Sequence, residues 1–264
     1  MIPDLDSVPF VKATACGNDF LIIDGKHAPT DGAGFSRRIC DRHAGVGADG
    51  VEWISPASDA DIEARLFNAD GSEAEISGNG TRCVAAWWCS EHGRERVTIK
   101  TGAGIKACSL ANRDFPNFEF EMEMGKPIVG DELAIGLGPE TVRGIPVSMG
   151  NPHLVVFAES FVPDWQQRAA EIQRAGIFAS GVNVEWVMVR DRHTLAAMFY
   201  ERGVGETQSS GTGSCASAVA AIATGRVQSP VEVHAAGGAQ TVRWEQQVLL
   251  RGPARLVCRG DFFV

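Results

Sequence analysis

Hydrophobic and polar positions fall into short segments along this chain, and the segments predict a protein of mixed α and β structure. Short apolar or alternating runs bounded by glycine and polar residues indicate strands. Such runs lie at residues 8–24, 51–54, 61–67, 97–100, 118–122, 194–200, 231–234 and 248–250. Two other runs, 83–89 and 215–223, are apolar on every face, which predicts buried helices. A shorter helix is predicted over residues 34–39, and polar loops are predicted at 68–72 and 201–208.

The pattern occurs twice, at a constant offset of 133 residues. The matched positions include Ser77 and Ser210, Asn18 and Asn151, and Asn68 and Glu201. The run Gly-Val-Glu-Trp-Ile at 50–54 falls on Asn-Val-Glu-Trp-Val at 183–187. A constant register over so many points predicts two copies of one fold related by a pseudo-twofold, each a curved sheet around one small-residue helix. The segment 124–140, rich in glycine and proline, is the predicted linker between them.

Composition and charge exclude several classes of protein. The chain has 264 residues, 44% hydrophobic and 22% charged, which is ordinary for a globular protein of one large or two medium domains. A formal net charge of -9 and the lack of a basic patch argue against a nucleic-acid partner. The sequence has no signal pattern and no membrane-spanning apolar stretch. Its seven cysteines form no C-x-x-C pair, so we expect no metal site and a reducing, cytoplasmic compartment.

Ser77 and Ser210 are the leading candidates for chemistry. Each precedes a glycine turn that opens a predicted helix, where free backbone N–H groups and the positive end of the helix dipole attract anions. A single serine in this position would most simply be an N-cap. The matched pair with matched glycines favours a site, because two equivalent groups suit removal of a proton from one face of a carbon and its return to the other.

Further polar residues in the matched segments could complete such a site. Four asparagines beside strands could bind a polar zwitterion, although asparagine is often only a turn residue there: Asn18, Asn68, Asn151 and Asn183. Arg202 could pair with a carboxylate in fork geometry. His153 and Glu201 are candidate acid–base groups. The segment 45–50 fits G-x-G-x-x-G, but a predicted strand follows it, so we expect a glycine-rich turn rather than a dinucleotide site.

Several segments resemble the diaminopimelate epimerase family, over nearly the whole length of the chain. They are residues 15–20, 41–50, 68–73, 78–83, 150–153, 201–207 and 211–213. The family consists of cofactor-independent amino-acid epimerases of α/β (α+β) fold, with two pseudo-symmetric domains that each wrap a curved, mainly antiparallel sheet around a central helix. The resemblance implies domains at 1–124 and 125–255, a final strand at about 256–264 packed on the first domain, and an active site in the cleft between the domains.

The resemblance also implies a role for each candidate residue. Ser77 and Ser210 would remove and return the α-proton, with His153 and Glu201 as supporting acid–base groups. The implied substrate-binding residues are Asn18, Asn68, Gly78, Asn79, Asn151, Asn183, Arg202, Gly211 and Thr212. The substrate would be a small zwitterionic amino acid, LL- or meso-diaminopimelate, on the route to lysine and peptidoglycan precursors. No cofactor, metal, membrane or nucleic acid is implied, and a homodimer is a possible assembly.

One departure from the family pattern concerns the reacting groups, because the family has cysteine where this chain has Ser77 and Ser210. A thiol has a reference pKa of about 8.5, whereas an alkyl hydroxyl is a far weaker acid, and each pKa unit corresponds to about 1.4 kcal/mol. A serine base therefore needs activation by a neighbour. Three explanations stay open: an active Ser/Ser variant assisted by His153 or Glu201, a relative with altered substrate or only ligand binding, and a form with both cysteines replaced to trap a complex.

Overall fold

The structure, a computed structural model, describes residues 7–264. The helices are α1 (Gly32–Cys40), α2 (Gly78–His92), α3 (Trp165–Arg174) and α4 (Gly211–Ala223), and a short 3-10 turn covers Gly25–His27. The strands are β1 (Ser7–Ala15), β2 (Asn18–Asp24), β3 (Gly50–Ser55), β4 (Ile62–Asn68), β5 (Glu73–Ala74), β6 (Arg96–Thr101), β7 (Gly104–Asp114), β8 (Asn117–Gly125), β9 (Ile128–Val129), β10 (Leu133–Leu137), β11 (Glu140–Ser148), β12 (Pro152–Phe157), β13 (Asn183–Val189), β14 (Thr194–Glu201), β15 (Gly205–Thr207), β16 (Val231–Ala235), β17 (Gly238–Trp244) and β18 (Val248–Phe263). Within residues 7–264 no helix has the length and apolar character needed to cross a membrane.

The chain divides into two compact units. The first unit comprises the residues up to Met122 together with Gly252–Val264, and the second unit comprises Glu123–Arg251. In the first unit β2 lies parallel to β3, with Phe20 opposite Gly50, and β3 runs antiparallel to β4. β1 pairs antiparallel with β2 on one side and with the end of β18 on the other. β4 is parallel to β6, and β6, β7 and β8 continue antiparallel.

The second unit repeats this strand order in the same register. β12 lies parallel to β13, with His153 opposite Asn183, and β13 runs antiparallel to β14. β14 is parallel to β16, and β16, β17 and the start of β18 continue antiparallel. Phe20 opposite Gly50 and His153 opposite Asn183 are the same pairing at the 133-residue offset. The predicted fold class, two copies of a mainly antiparallel sheet around one helix, is confirmed.

A buried helix forms the centre of each unit, as its apolar sequence predicts. α2 is buried through most of its length and packs against β1, β2 and β6. α4 consists largely of alanine, glycine and serine, and its buried face joins a core that includes Phe199, Val219 and Val233. Small side chains allow strands to approach a helix from several sides, so the helix start can be held rigidly against the strand ends.

The run 8–24, predicted as one strand, is a hairpin of β1 and β2. The chain reverses at Cys16 and Gly17, which have positive φ angles of 48° and 83°. Glycine adopts such angles without steric cost, whereas a cysteine rarely does, so the turn is marked in the sequence by Gly17 alone.

The segment 124–140, predicted as a linker, consists largely of strand. It holds the end of β8, β9 and β10, and β10 pairs with β11. Gly138 has a φ of 59° and lies at the reversal between β10 and β11, so this glycine makes a hairpin turn rather than a flexible connection. Several other elements were not predicted, among them helix α3, the strands β7, β11, β12 and β17, and the short strand β15 inside the predicted loop 201–208.

Candidate active site

Ser77 occupies the N-cap of α2. It has extended backbone angles, and its hydroxyl oxygen accepts a hydrogen bond from the Gly80 N–H at 3.1 Å. The Ser77 carbonyl accepts from both the N–H and the hydroxyl of Thr81, each at 2.8 Å. The Ser77 side chain is half-buried. Because the capping bond uses only the oxygen, the hydroxyl hydrogen can still be donated.

A chain of amide contacts fixes the first turn of α2. Asn79 donates through Nδ2 to Asn18 Oδ1 at 2.7 Å, and Asn18 donates through its own Nδ2 to Asp49 Oδ2 at 3.0 Å. The fully buried Arg82 donates to the carbonyl of Gly78 at 3.1 Å and to Asn79 Oδ1. Gly78, Asn79 and Asn18, each predicted as a site residue, are therefore held together beside Ser77.

Asp49 lies in the glycine-rich segment 45–50, which forms the predicted turn. Its carboxylate also accepts from Arg42 at 2.8 Å, and Arg42 and Lys12 both contact Asp19. Burial alone would raise the pKa of Asp19, but the hydrogen bonds from Arg42 and Lys12 outweigh it and hold that pKa below its usual value. This ion network positions Asn18 through Asp49.

Asn68, opposite Gly50 on the neighbouring strand, uses its own polar groups locally. Its Nδ2 donates to Ser72 Oγ at 3.0 Å, and its backbone N–H donates to the Ser72 carbonyl at 2.8 Å. Within the first unit Asn68 therefore closes the 68–72 turn, which is the usual role of asparagine beside a strand.

Ser210 occupies the N-cap of α4 in the second unit. Its hydroxyl oxygen accepts from the Gly213 N–H at 3.2 Å, and the side chain is buried. The Ser210 hydroxyl also hydrogen-bonds to the carboxylate of Glu201, which ends strand β14. Burial raises the pKa of Glu201, the bond from Ser210 lowers it in part, and the nearby Glu185 raises it further. A carboxyl with a raised pKa in contact with a hydroxyl can accept the proton of that hydroxyl.

His153 and Glu185 form a buried pair in the same unit. His153 Nδ1 lies 2.7 Å from Glu185 Oε1, and Nε2 lies 3.0 Å from Asn151 Oδ1. Since an amide oxygen accepts only, Nε2 is the donor to Asn151, and one proton is shared between Nδ1 and Oε1. Burial raises the pKa of Glu185 although His153 acts in the opposite direction.

Asn151 extends this group to the helix start. Its Nδ2 lies 3.5 Å from Thr212 Oγ1, in the first turn of α4 behind Gly211. The contact repeats that of Asn18 with Asn79 in the first unit, since both pairs are separated by 61 residues. Each helix start is thus anchored by an asparagine that lies at the start of β2 or just before β12.

Asn183 and Arg202 contact each other through the backbone. Asn183 accepts through Oδ1 from the Arg202 N–H at 2.9 Å and donates through Nδ2 to the Pro152 carbonyl at 3.2 Å. The Arg202 guanidinium is exposed and bonds to the Ser180 carbonyl. Asn183 therefore fixes the loop that carries Arg202, and the guanidinium itself reaches the surface of the unit.

Sequence comparisons with known proteins identify the family of this chain. The sequence model described as Diaminopimelate epimerase matches residues 10–129 and 145–257. The diaminopimelate epimerase of Moorella thermoacetica is 36% identical over 277 residues, with 96% of this chain and 98% of that protein covered. The diaminopimelate epimerase of Aromatoleum aromaticum is 37% identical over 276 residues, with 98% and 99% covered. The chain belongs to the diaminopimelate epimerase family.

Solved structures share the fold at low sequence identity. The crystal structure of a hydroxyproline epimerase from Agrobacterium vitis has a TM-score of 0.72 at 16% identity and covers 97% of this chain and 90% of its own. The structure of a methylitaconate-delta-isomerase has a TM-score of 0.68 at 14% identity, with 98% and 96% covered. Family membership makes the protein an isomerase, and these structures show the fold.

Sequence analysis missed two buried carboxyls of this diaminopimelate epimerase relative, Glu52 and Glu185. Both lie in the matched runs 50–54 and 183–187, and both are buried, with 3% and 1% of the residue exposed. An acidic residue inside an otherwise apolar strand was the available signal, because such residues are almost never buried without a partner or a role. Arg82, buried beside Asn79, was missed as well.

Within residues 7–264, neither a cavity nor a group of potential metal ligands points to a different functional site. A cavity of about 490 Å³ in the first unit is lined near Trp53 and Arg65 and includes none of the predicted site residues. Over residues 7–264, no group of three or more His, Cys, Asp or Glu side chains is arranged to hold a metal ion.

Proposed function

We propose that this isomerase interconverts LL- and meso-diaminopimelate by proton transfer at the α-carbon, on the route to lysine and peptidoglycan precursors. The names of relatives that match the chain over nearly its full length support the substrate. The chemistry needs one proton acceptor and one proton donor on opposite faces of the carbon. Ser77 and Ser210 are proposed for these two roles.

The hydrogen bond between Ser210 and Glu201 is the observation that carries this proposal. A serine hydroxyl is too weak an acid to serve as a base unaided, so a neighbour must take its proton. Glu201 is partly buried, and burial is the main cause that raises its pKa above the ordinary value of a glutamate. In the proposed step Ser210 Oγ takes the α-proton while its own hydroxyl proton moves to the Glu201 carboxylate.

His153 is proposed to support the same half. One proton shared with Glu185 keeps the His153–Glu185 pair neutral as a whole, and the Nε2–H of His153 orients Asn151 toward Thr212. Gly211 and Thr212 with Gly78 and Asn79 are proposed to hold the reacting carboxylate and amine at the two helix starts, where backbone N–H groups favour an anion. Within each unit an asparagine contact already fixes the first turn of the helix, so its backbone N–H groups are preorganised for an anion.

The distal end of the substrate is assigned to Asn68, Asn151, Asn183 and Arg202, with Asn18 also lining the site. The exposed Arg202 guanidinium carries a charge suited to a second carboxylate, and Asn183 fixes its backbone. We further propose a cytoplasmic enzyme, since all seven cysteines are free thiols, and a homodimer as its assembly.

Deuterium incorporation at the α-carbon tests the proposal. Incubation of LL-diaminopimelate in D₂O with the protein should give deuterated LL and meso forms, followed by NMR and chiral chromatography. Ser210→Ala should abolish inversion. Ser217→Ala is the matched control, because Ser217 lies on the same helix and its hydroxyl bonds only to the Gly213 carbonyl at 2.7 Å. No deuterium in the wild-type reaction would refute the proposed activity.

The serines at both reacting positions favour one alternative: an impaired or diverged homologue that acts on another substrate or only binds a ligand. The same exchange assay on a panel of amino acids, together with calorimetric binding, separates these cases. Exchange with a different amino acid would reassign the substrate, and binding of diaminopimelate without exchange would indicate a binding protein.

A further inference from the structure

A buried carboxyl begins a hydrogen-bond chain that leads to the start of α4. Glu185 and His153 each have 1% of the residue exposed, and Glu185 Oε1 lies 2.7 Å from His153 Nδ1. His153 Nε2 lies 3.0 Å from Asn151 Oδ1, and Asn151 Nδ2 lies 3.5 Å from Thr212 Oγ1. All four residues belong to the second unit, so the chain joins strand β13 to the first turn of α4 within that unit.

The two bonds of the Asn151 side chain give this chain a direction, because both are donated toward α4. The side-chain oxygen of Asn151 can only accept, so the hydrogen between it and His153 belongs to Nε2. Asn151 Nδ2 then faces Thr212 as the donor. A hydroxyl oxygen that accepts in this way keeps its own hydrogen for another acceptor. The start of α4 therefore presents donors, namely the Thr212 hydroxyl together with the first backbone N–H groups of the helix.

Glu185 controls this direction because it occupies the other ring nitrogen of His153. The partner of one ring nitrogen determines whether the other carries the hydrogen. Within residues 7–264 the second oxygen of Glu185, Oε2, has no hydrogen-bond partner, and Val155 and Phe199 lie opposite Glu185 on the flanking strands. A buried charge without partners costs far more than a buried neutral oxygen. Burial accordingly raises the pKa of Glu185, and the carboxyl hydrogen fills the bond to Nδ1, which leaves the ring hydrogen on Nε2.

The first unit orients its equivalent asparagine in the opposite direction. Asn18 accepts from the first turn of α2 at 2.7 Å and donates to the Asp49 carboxylate at 3.0 Å. At the repeat offset, Val182 takes the place of Asp49, and His153 takes the place of Phe20. An acceptor beside Nδ2 in one unit and a donor beside Oδ1 in the other thus set opposite directions. The fold alone does not impose the direction, and the polar neighbour of the asparagine does.

We propose that Glu185 is a positioning residue that keeps the hydrogen of His153 on Nε2 and thereby locks the orientation of the Asn151 amide. In this orientation the amide donor faces Thr212. Without Glu185 the ring hydrogen of His153 can move to Nδ1, the amide turns over, and Asn151 Oδ1 takes the hydroxyl hydrogen of Thr212. The start of α4 then presents an acceptor where an anion needs a donor. The link to ligand binding rests on the proposed function, in which that anion is a carboxylate of the substrate.

Nitrogen-15 NMR of His153, without ligand, tests the position of the hydrogen directly. Nε2 should be fully protonated in the wild type and only partly protonated in Glu185→Leu, which has no hydrogen-bonding group. Glu185→Gln should restore the wild-type signal, because its N–H can donate to Nδ1 and its carbonyl can take the place of the unpartnered Oε2. Glu52→Leu is the matched control: Glu52 is the buried carboxyl at the repeat position, and its removal should leave the His153 signal unchanged.

Calorimetric binding of diaminopimelate measures the consequence for the site. Glu185→Leu should weaken binding about tenfold, because one hydrogen bond to a charged group is lost, and Glu185→Gln should bind like the wild type. Thr212→Val removes the hydroxyl itself. In that background a further change of Glu185 to leucine should weaken binding little more, because both changes act at the same hydroxyl. A residue that contributes only to packing would instead give additive losses.

The outcomes separate the two proposals. The role of Glu185 is overturned if folded Glu185→Leu keeps Nε2 fully protonated, if Glu185→Gln behaves like the leucine variant, or if the losses of Glu185→Leu and Thr212→Val add. Glu185→Met, which also lacks a donor, takes the place of the leucine variant if that variant does not fold. Wild-type protein that binds no diaminopimelate would refute the proposed function, while the His153 signal would still decide the role of Glu185.

Discussion

Replacement of Glu52 by glutamine should change the pH dependence of folding stability. In the folded protein burial raises the pKa of Glu52 from 4.5 to about 8. The folded state therefore keeps a proton that the unfolded state releases, and the stability contributed by the neutral carboxyl is lost as the pH rises through that interval. Glutamine has no such proton to lose.

The size of the effect follows from the interval between the two pKa values. One pKa unit corresponds to about 1.4 kcal/mol, so the full penalty for charging Glu52 is about 5 kcal/mol. About 4 kcal/mol of it falls between pH 5 and pH 9. At pH 5 the wild type and Glu52→Gln should have similar free energies of unfolding, and at pH 9 the variant should be the more stable by about that amount.

Urea unfolding at both pH values, followed by tryptophan fluorescence and circular dichroism, measures this difference. Glu185 and Glu201 also have raised pKa values, chiefly through burial, but both are present in each protein and cancel in the comparison. Parallel loss of stability in wild type and Glu52→Gln from pH 5 to pH 9 would show that Glu52 is not buried as a neutral acid.

Three further changes test other parts of the site. The double change Ser77→Cys with Ser210→Cys should raise the epimerisation rate of diaminopimelate by orders of magnitude, because a thiol ionises far more readily than a hydroxyl. A coupled assay measures this rate. If the double variant binds diaminopimelate but stays inactive, the two serines are not what limits the activity. Arg202→Ala should weaken diaminopimelate binding in calorimetry by about 1.5–3 kcal/mol and leave alanine binding unchanged, and equal losses would make Arg202 structural. Gly80→Ala should lower the free energy of unfolding by about 1–3 kcal/mol, because the new methyl group overlaps Glu52. The control Gly32→Ala, where no atom lies within 4 Å of the new Cβ, should be neutral or mildly stabilising. Equal effects of the two changes on stability would argue against the close approach of Glu52 to Gly80.

The fold could be predicted from the sequence because the apolar runs of the two halves repeat at a constant offset. The segments 50–54 and 183–187 form equivalent strands, and the helices that follow Ser77 and Ser210 are the buried helices of the two units. Errors arose where one residue type has two uses. Gly17 and Gly138 both have positive φ, and each makes a hairpin turn that a sequence pattern cannot distinguish from the middle of a run or from a linker.

The site was predictable in its residues and less so in their partners. Ser210 and Glu201 were singled out by position, but their hydrogen bond depends on how β14 ends beside α4. The sequence did not indicate that Asn183 would accept from the Arg202 N–H through Oδ1 and donate to the Pro152 carbonyl through Nδ2. Long-range pairings of this kind come from packing, which local pattern does not encode.

The last strand gives this protein an order of assembly that runs against the order of synthesis. The first unit needs Gly252–Val264, since β1 pairs with the end of β18 and Arg82 donates to the Pro253 carbonyl at 3.1 Å. The second unit, Glu123–Arg251, is continuous in the chain. On the ribosome the second unit can therefore close first, while the earlier residues wait, with β1 unpaired on one edge, until the final residues emerge. A chain truncated after Arg251 would therefore lack part of the first unit, whereas all residues of the second unit would be present.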